Sequence, residues 1–242
     1  MAQKVVTPYS NDSSKKEQVA EMFDNISHKY DFLNHFLSMG IDKLWRKKAI
    51  KMLKAKQPKK VIDIATGTGD FAIAALKLNP EKVVGVDISK GMVEAGIKKI
   101  KKRNLDKIIN LTIGDSENLP FETDSFDALT VGFGVRNFEN LEKGLGEMLR
   151  VIKPNGQAAI LEFSKPKKFP VKHLFGFYSK RVMPTVGKMI SKDSRAYTYL
   201  PESVEAFPEG QNFIDIMEKV GYKNITTKKC SGGIATIYLG EK

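Results

Sequence analysis

The sequence contains little cysteine and little histidine. Among 242 residues there is one cysteine, Cys230, and there are three histidines. A single cysteine excludes an internal disulfide and a metal site of the Cys-x-x-Cys kind, which suits a reducing compartment. We expect Cys230 to be a small residue within a strand, and no spacing of histidine, cysteine and acidic residues predicts a metal site.

Long apolar runs are also missing. No stretch approaches the roughly 18 apolar residues that a membrane-spanning helix needs. The start of the sequence shows no signal-peptide pattern. We therefore expect a cytoplasmic protein that is at most peripheral on the inner face of the cytoplasmic membrane.

Acidic residues are outnumbered by basic ones, 28 to 40, which gives a net charge of +12. Residues 165–200 hold nine basic residues and one acid and thus carry +8 of this charge. Aromatic residues alternate with these charges, as in amphipathic segments at an anionic membrane. A solvated helix face is the alternative. No nucleic-acid partner is expected, because no motif that reads nucleic acid is present. The basic residues are Lys165, Lys167, Lys168, Lys172, Lys180, Arg181, Lys188, Lys192 and Arg195.

The length fits one domain with appendages. Residues 1–16 are polar and predict a flexible arm, and residues 17–242 form the domain. Apolar residues at helical spacing predict an N-terminal helical cover over 17–56, and 165–200 is predicted to be an inserted lid. Within the cover, four polar residues either pack against the domain or form a lid over a ligand. They are Tyr30, Asp31, Asn34 and His35.

The rest of the chain is organised around residues 61–71. Val61, Ile62 and Ile64 form a nearly continuous apolar strand, and Gly67 and Gly69 predict a tight turn that a ligand can approach closely. We expect Asp70 to cap the helix that follows. This strand, turn and helix predict a small-molecule site at the carboxyl end of the strand.

Further strands alternate with helical patterns and predict an α/β fold with a mostly parallel sheet. A strand over 82–87 ends in Asp87, where an acid can accept hydrogen bonds from both hydroxyls of a ribose. The alternative for Asp87 is an N-cap of the next helix, a role that Ser89 could also fill. Strands over 108–113 and 125–131 lead to Asp115 and to the loop 132–137. A helix over 140–152, a turn over 153–156 and a strand over 157–163 follow, and a helix over 211–220 precedes a closing antiparallel pair.

The glycine turn also satisfies the loose Gly-x-Gly-x-x-Gly/Ala pattern of dinucleotide sites, so a dehydrogenase is a rival. A second nucleotide-binding half is not found after residue 137. The run from Asp63 through Ala65, Gly67 and Gly69 instead resembles the acidic and glycine motif of class I methyltransferases. That resemblance implies a Rossmann-like, mostly parallel seven-stranded sheet with an antiparallel last strand, and S-adenosylmethionine as cofactor.

Longer motifs narrow the resemblance. Tyr30-Asp-Phe-Leu-Asn34 with Leu44-Trp45, Gly132-Phe-Gly-Val-Arg-Asn137, and Arg150-Val-Ile-Lys-Pro-Asn-Gly-Gln157 resemble signatures of the ubiquinone/menaquinone biosynthesis C-methyltransferases. The similarity runs from about Val19 to Ala235. Asp42 stands where the first signature usually has histidine, which argues against an essential base at this position.

This family resemblance implies methyl transfer from S-adenosylmethionine to a ring carbon of a polyprenyl quinol. The acceptor would be demethylmenaquinol, a benzoquinol precursor of ubiquinone, or both. It implies cofactor contacts by Thr68, Asp87, Asp115 and Ser116, with Gly132 where some members use serine. Asp63, Gly67 and Gly69 complete the expected cofactor site.

Methylating a ring carbon requires a nearby quinol hydroxyl to lose its proton, and a phenol has a pKa near 10. We expect Arg136 to stabilise the phenolate, with Asn137 and Tyr30 orienting it. A surface salt bridge is the alternative for Arg136. Asp31, His28 or water would accept the proton. Arginine is not an ordinary base, because its guanidinium is already protonated at neutral pH. Methylation of another acceptor, a non-catalytic scaffold and a homodimer remain open.

Overall fold

The computed structural model describes residues 6–31, 35, 38–53, 56–178, 181 and 195–242. Seven strands form one sheet in the order β3-β2-β1-β4-β5-β7-β6. Neighbours among the first five strands are parallel, and β7 is antiparallel to both β5 and β6. The strands are β1 Lys60–Ile64, β2 Lys82–Asp87, β3 Ile109–Ile113, β4 Phe126–Gly132, β5 Ile152–Phe163, β6 Lys223–Cys230 and β7 Ala235–Glu241. The predicted fold class and the antiparallel closing pair are confirmed.

Helices cover both faces of this sheet. In chain order they are α1 Lys15–Ile26, α2 Ile41–Leu53, α3 Asp70–Ala75, α4 Lys90–Lys102, α5 Leu141–Val151, α6 Val171–Phe177, α7 Arg195–Ala206 and α8 Gln211–Val220. On one face, Ile62 and Ile64 pack in a core with Leu145 of α5. On the other face, Val61 packs with Trp45 of α2 and other apolar side chains. This alternation follows from the two-residue period of a strand.

Helix α1 lies above the carboxyl edge of the sheet. Its residues Val19, Met22 and Ile26 are buried in a third apolar cluster, together with Met92 of α4 and Tyr199 of α7. The three elements come from distant parts of the chain. Helix α1 therefore covers the edge of the sheet at which the predicted site residues lie.

Side-chain capping explains three of the helix starts. Ser14 and Glu17 form a capping box on α1, Ser89 caps α4 and Asn140 caps α5. Because Ser89 is the cap, Asp87 is not. The expected cap at Asp70 is wrong: Gly69 occupies the N-cap position in a left-handed conformation, and Asp70 is the first residue of α3.

Two other boundaries differ from the predictions. Residues 153–156 were expected to form a turn, but β5 begins at Ile152, which pairs with Phe126 before a register shift in the ladder. The predicted arm boundary at residue 16 falls inside α1, because Ser14 starts that helix. In the part of the arm that the structure describes, the Tyr9 backbone N–H donates to Gln18 Oε1 and Arg195 donates to the Pro8 carbonyl. The mobility of the arm and the division into arm, cover and lid stay predictions.

Cys230 lies at the end of β6 and is fully buried, as expected for a small strand residue. Asn34 of the predicted lid, and much of the segment 179–194, lie outside the described residues. Among the helices that the structure describes, none is long and apolar enough to cross a membrane.

Candidate active site

A cavity lies at the carboxyl ends of β1, β2 and β4, beneath α1. Val19, Phe23 and Met92 supply apolar walls. Seven of the twelve predicted site residues line it: Tyr30, Gly67, Asp87, Asp115, Ser116, Gly132 and Asn137. The other five, Asp31, Asp63, Thr68, Gly69 and Arg136, surround it without being part of its lining. We call this cavity the main pocket.

Asp87 joins the two loops that form the floor of the main pocket. Its carboxylate accepts hydrogen bonds from the backbone N–H groups of Gly67 at 2.7 Å and Ser89 at 2.9 Å. Burial raises the pKa of Asp87 to about 6, although these two hydrogen bonds favour the charged form. The acid at the end of β2 thus lies in the main pocket, within reach of a ligand.

The glycine turn keeps its backbone accessible. Gly67 has a φ of +57°, and a Cβ added there would lie 3.7 Å from Cε1 of Tyr30. The Tyr30 ring therefore stands close over the turn. Burial raises the pKa of Tyr30 to about 12, so its hydroxyl is protonated at neutral pH.

Asp115 and Ser116 lie at the opposite end of the main pocket. Lys16 of α1 donates a hydrogen bond of 2.6 Å to Asp115 Oδ2. Burial alone would raise the pKa of Asp115, but the bond from Lys16 and another from the Glu117 backbone lower it below its usual range. Asp115 is therefore a carboxylate at neutral pH, and it holds the roof helix to the floor.

Asp63 supports the glycine turn from below. Its side chain is fully buried and accepts hydrogen bonds from Thr66 Oγ1 at 2.5 Å and Thr130 Oγ1 at 2.7 Å. Burial raises its pKa to about 6. Gly69 is packed from behind, since an added Cβ would lie 3.3 Å from Leu111 Cδ1. Both residues shape the turn without entering the main pocket.

Thr68 and Asp31 belong to a polar cluster beside the main pocket. Lys99 of α4 donates to Asp31 Oδ2 at 2.7 Å, Thr68 Oγ1 at 2.8 Å and Asp70 Oδ1 at 2.9 Å. The Thr68 hydroxyl in turn donates to Asp31. This lysine ties the cover, the glycine turn and the start of α3 together.

The cluster continues to residues of the cover and α2. His35 contacts Asp42 through Nδ1 at 3.1 Å and Asp70 through Nε2 at 3.3 Å. The ligand atoms of these three residues lie within 4.8 Å of one another, a spacing that would suit a metal ion. Arg46 pairs with Asp42 and lies 3.8 Å from Asp70, so cationic side chains already balance these carboxylates.

Arg136 follows β4 in a short 3-10 helix, Val135–Asn137. Its guanidinium donates to Glu162 Oε1 at 2.9 Å, and both side chains are buried. The ion pair is therefore not the surface salt bridge that was the alternative. The neighbouring Asn137 lines the main pocket and accepts a hydrogen bond of 3.2 Å from the hydroxyl of Tyr199 on α7.

Four residues around the site were missed from the sequence: Lys16, Lys99, Glu162 and Tyr199. Each forms its hydrogen bond with a residue at least 26 positions away in the sequence, so no local spacing in the sequence identifies it. Glu162 alone carried a signal, because it closes β5 at the same edge of the sheet as Asp87.

Solved structures share this fold. A SAM-dependent methyltransferase from Thermotoga maritima is 18% identical with a TM-score of 0.66, covering 92% of this chain and 99% of that one. One from Aquifex aeolicus is 18% identical with a TM-score of 0.56, covering 76% and 82%. The fold is therefore that of the class I methyltransferases, a class whose members use S-adenosylmethionine. The chain belongs to the ubiE/COQ5 methyltransferase family, whose profile matches residues 11–242.

Relatives in this family are similar over nearly their whole length. A Bacteroides fragilis protein named demethylmenaquinone methyltransferase is 49% identical over 241 residues, covering 99% of this chain and 98% of the relative. A Porphyromonas gingivalis protein of the same name is 44% identical over 239 residues, covering 98% of each. A Geotalea daltonii ubiquinone/menaquinone biosynthesis C-methyltransferase is 44% identical over 232 residues, covering 95% and 98%. The chain is therefore an S-adenosylmethionine-dependent C-methyltransferase of quinone biosynthesis.

Proposed function

We propose that this protein transfers the methyl group of S-adenosylmethionine to a ring carbon of demethylmenaquinol, giving menaquinol in the last step of menaquinone biosynthesis. The proposal rests on the near full-length similarity to relatives named for that reaction. The benzoquinol precursor of ubiquinone is the second candidate acceptor, because other relatives are named for both quinones.

The residues of the main pocket fit the cofactor. Asp87 offers a carboxylate for the two ribose hydroxyls, and Asp115 with Ser116 offers acceptors for the amine of adenine. Gly67 and Gly132 line the pocket without side chains and leave room for close approach. When bound, S-adenosylmethionine supplies an activated methyl group on a sulfonium. Thr68, Asp63 and Gly69 would act by holding the glycine turn in place.

The acceptor ring would lie near Asn137, Tyr30 and Arg136. The protonated Tyr30 hydroxyl and the Asn137 amide orient the quinol, and the positive charge of Arg136 favours its phenolate. Asp31 is an unsuitable base because Lys99 and Thr68 already occupy its carboxylate. His28 is exposed and outside the main pocket. Water is therefore the proposed proton acceptor, and the chain's main contribution is orientation and electrostatics.

Two acceptors distinguish the candidate functions. Purified protein would be incubated with S-adenosylmethionine labelled in its methyl group and, in separate detergent mixtures, reduced demethylmenaquinol or the benzoquinol. We expect label in the naphthoquinol. Label in both would define an enzyme that serves both pathways, and label in neither, with cofactor binding intact, would contradict the proposal.

We also propose that α6 and its flanks contact an anionic membrane. Phe169, Leu174 and Phe177 are 81%, 68% and 67% exposed, unusually high for large apolar side chains. Lys167, Lys168 and Lys172 lie beside them and are exposed. Apolar side chains with neighbouring lysines match the chemistry of a membrane interface.

Reversing four charges near α6 should weaken membrane binding. Changing Lys167, Lys168, Lys172 and Arg181 to glutamate should lower binding to anionic liposomes by at least about tenfold, since each basic residue contributes about 1 kcal/mol. Sedimentation with anionic and neutral liposomes measures this. The control reverses Lys101, Lys102, Arg103 and Lys107, which are exposed on and just after α4. Equal sedimentation of the two variants would refute the proposed contact.

A further inference from the structure

A second, partly open cavity lies on the far side of the 3-10 helix that carries Arg136. We call it the side groove. Six apolar residues line it: Val6, Val135, Phe138, Leu141, Ala206 and Phe207. They come from the N-terminal segment, the loop after β4, α5 and the end of α7. The other four lining residues, Lys15, Arg136, Glu139 and Ser203, are polar, and the six apolar residues offer a surface for a hydrocarbon ligand.

The side groove adjoins the main pocket. Phe138 and Glu139 line both cavities, so the cavities meet at these two residues. Next to this junction, Asn137 lines the main pocket and Arg136 lines the side groove. A quinol ring held between these two residues would place a chain attached to it at the entrance of the groove.

The other end of the side groove leads toward α6. Phe207 lines the groove and also a third, open cavity whose walls include Lys165, Lys167 and Lys172. These lysines flank the exposed apolar side chains of α6. The side groove therefore lies between the proposed ring site and the proposed membrane contact.

Lys15 is a second basic side chain in the groove lining, besides Arg136. Its ammonium donates to the carbonyls of Arg136 at 3.1 Å and Phe138 at 2.8 Å. Burial, together with the neighbouring charge of Arg136, lowers its pKa to about 8. The ammonium is thus bound by the protein backbone. Glu139 and Ser203 are the other polar residues of the lining.

We infer that the side groove binds the first isoprene units of the quinol's side chain, with the ring at the Arg136 end and the remaining chain leaving toward α6. This inference rests on the proposed function, because it requires a prenylated acceptor. It assigns a role to Val6, Leu141 and Ala206, which lie outside the methyl-transfer site.

A bulky residue in the groove should abolish the decrease in KM that the isoprene chain of the acceptor provides. Ala206→Phe fills the groove at the end of α7, and Ala206→Leu is a milder version. The acceptors are reduced naphthoquinols with no side chain and with one, two or four isoprene units. For the wild type, KM should fall as the chain lengthens. In Ala206→Phe, KM for the four-unit acceptor should rise at least about tenfold, as expected when several methylene groups lose their burial, while kcat and KM for the chainless acceptor stay unchanged.

The matched control is Lys143→Phe, which adds the same side chain at an exposed position of α5 outside the groove. A photoreactive farnesyl probe gives a readout that is independent of catalysis. It should label peptides containing Leu141 and Ala206 in the wild type and in Lys143→Phe, and lose that labelling in Ala206→Phe. Unchanged chain-length dependence in both Ala206 variants, or labelling confined to other peptides, would overturn the inference. Failure to methylate even the chainless acceptor, with labelling intact, would instead count against the proposed function.

Discussion

Replacing Arg136 with alanine should lower kcat by about two to three orders of magnitude, the usual effect of removing a group that stabilises developing negative charge. The affinity for S-adenosylmethionine should stay near that of the wild type, because Arg136 is not part of the main-pocket lining. Steady-state kinetics with demethylmenaquinol and calorimetric titration of the cofactor measure the two quantities.

The pH profile separates this electrostatic role from a structural one. Without Arg136, the quinol hydroxyl should ionise with its ordinary pKa near 10. The rate of Arg136→Ala should therefore rise about tenfold for each pH unit between 7 and 9, while the wild type should show a flatter profile. If the substitution only distorted the site, the rate would not rise with pH in this way.

Stability requires its own control because Glu162 is fully buried beneath Arg136. Removing one partner of a buried ion pair costs about 3–5 kcal/mol of folding free energy. Burial raises the pKa of Glu162, so in the variant this carboxyl takes up a proton. Arg136→Ala with Glu162→Gln should regain thermal stability and keep the low kcat. The exposed Arg103→Ala is the control for arginine loss, and wild-type kcat in Arg136→Ala would refute the role of this residue.

Replacing Asp87 with asparagine should weaken S-adenosylmethionine binding about a hundredfold, as expected for two hydrogen bonds to a charged group at about 1.5–3 kcal/mol each. The amide keeps the size of the side chain but loses the charge and one acceptor oxygen. It also weakens the contacts with the N–H groups of Gly67 and Ser89. Calorimetric titration measures the change, and kcat at saturating cofactor should change much less.

The same substitution at Asp106, which is exposed before β3, is the matched control and should leave binding unchanged. Cofactor affinity should also depend on pH. Burial raises the pKa of Asp87 to about 6, so below pH 6 the carboxyl is mostly protonated and must release its proton to accept from the ribose. Affinity for the wild type should therefore fall as the pH drops from 7 to 5, and less steeply for Asp87→Asn. A pH-independent affinity, or wild-type affinity in Asp87→Asn, would argue against the ribose contact.

Most of the predicted site residues that line the main pocket lie at or just after strand ends. Asp87 ends β2 and Asp115 follows β3, and parallel strands bring their carboxyl ends to one edge of a sheet. Apolar runs and glycine pairs are enough to find these positions without knowing any distant contact. The same reasoning predicts Gly67, Gly132 and Asn137 at this edge, and all three line the main pocket.

The parts that the sequence did not reveal depend on distant partners. Lys99 lies on helix α4, where a lysine attracts no attention in the sequence. Its role comes from its hydrogen bonds to Asp31 and Asp70, which belong to other segments of the chain. Those contacts turn Asp31 from a candidate base into a structural carboxylate. Asp70 was mistaken for a cap because the left-handed Gly69 before it fills that position. The turn expected at 153–156 lies inside β5 as an irregularity, because the pairing with β4 passes from Ile152 directly to Gln157.

The most direct test of the account identifies the bond that carries the new methyl group. Reduced demethylmenaquinol would be incubated with the protein and S-adenosylmethionine carrying a ¹³C-methyl group, and the product analysed by NMR and mass spectrometry. We expect one labelled methyl group bonded to a ring carbon, giving menaquinol, with strongly reduced label in Arg136→Ala. Label in a methoxy group, or no label with cofactor shown to bind, would contradict it.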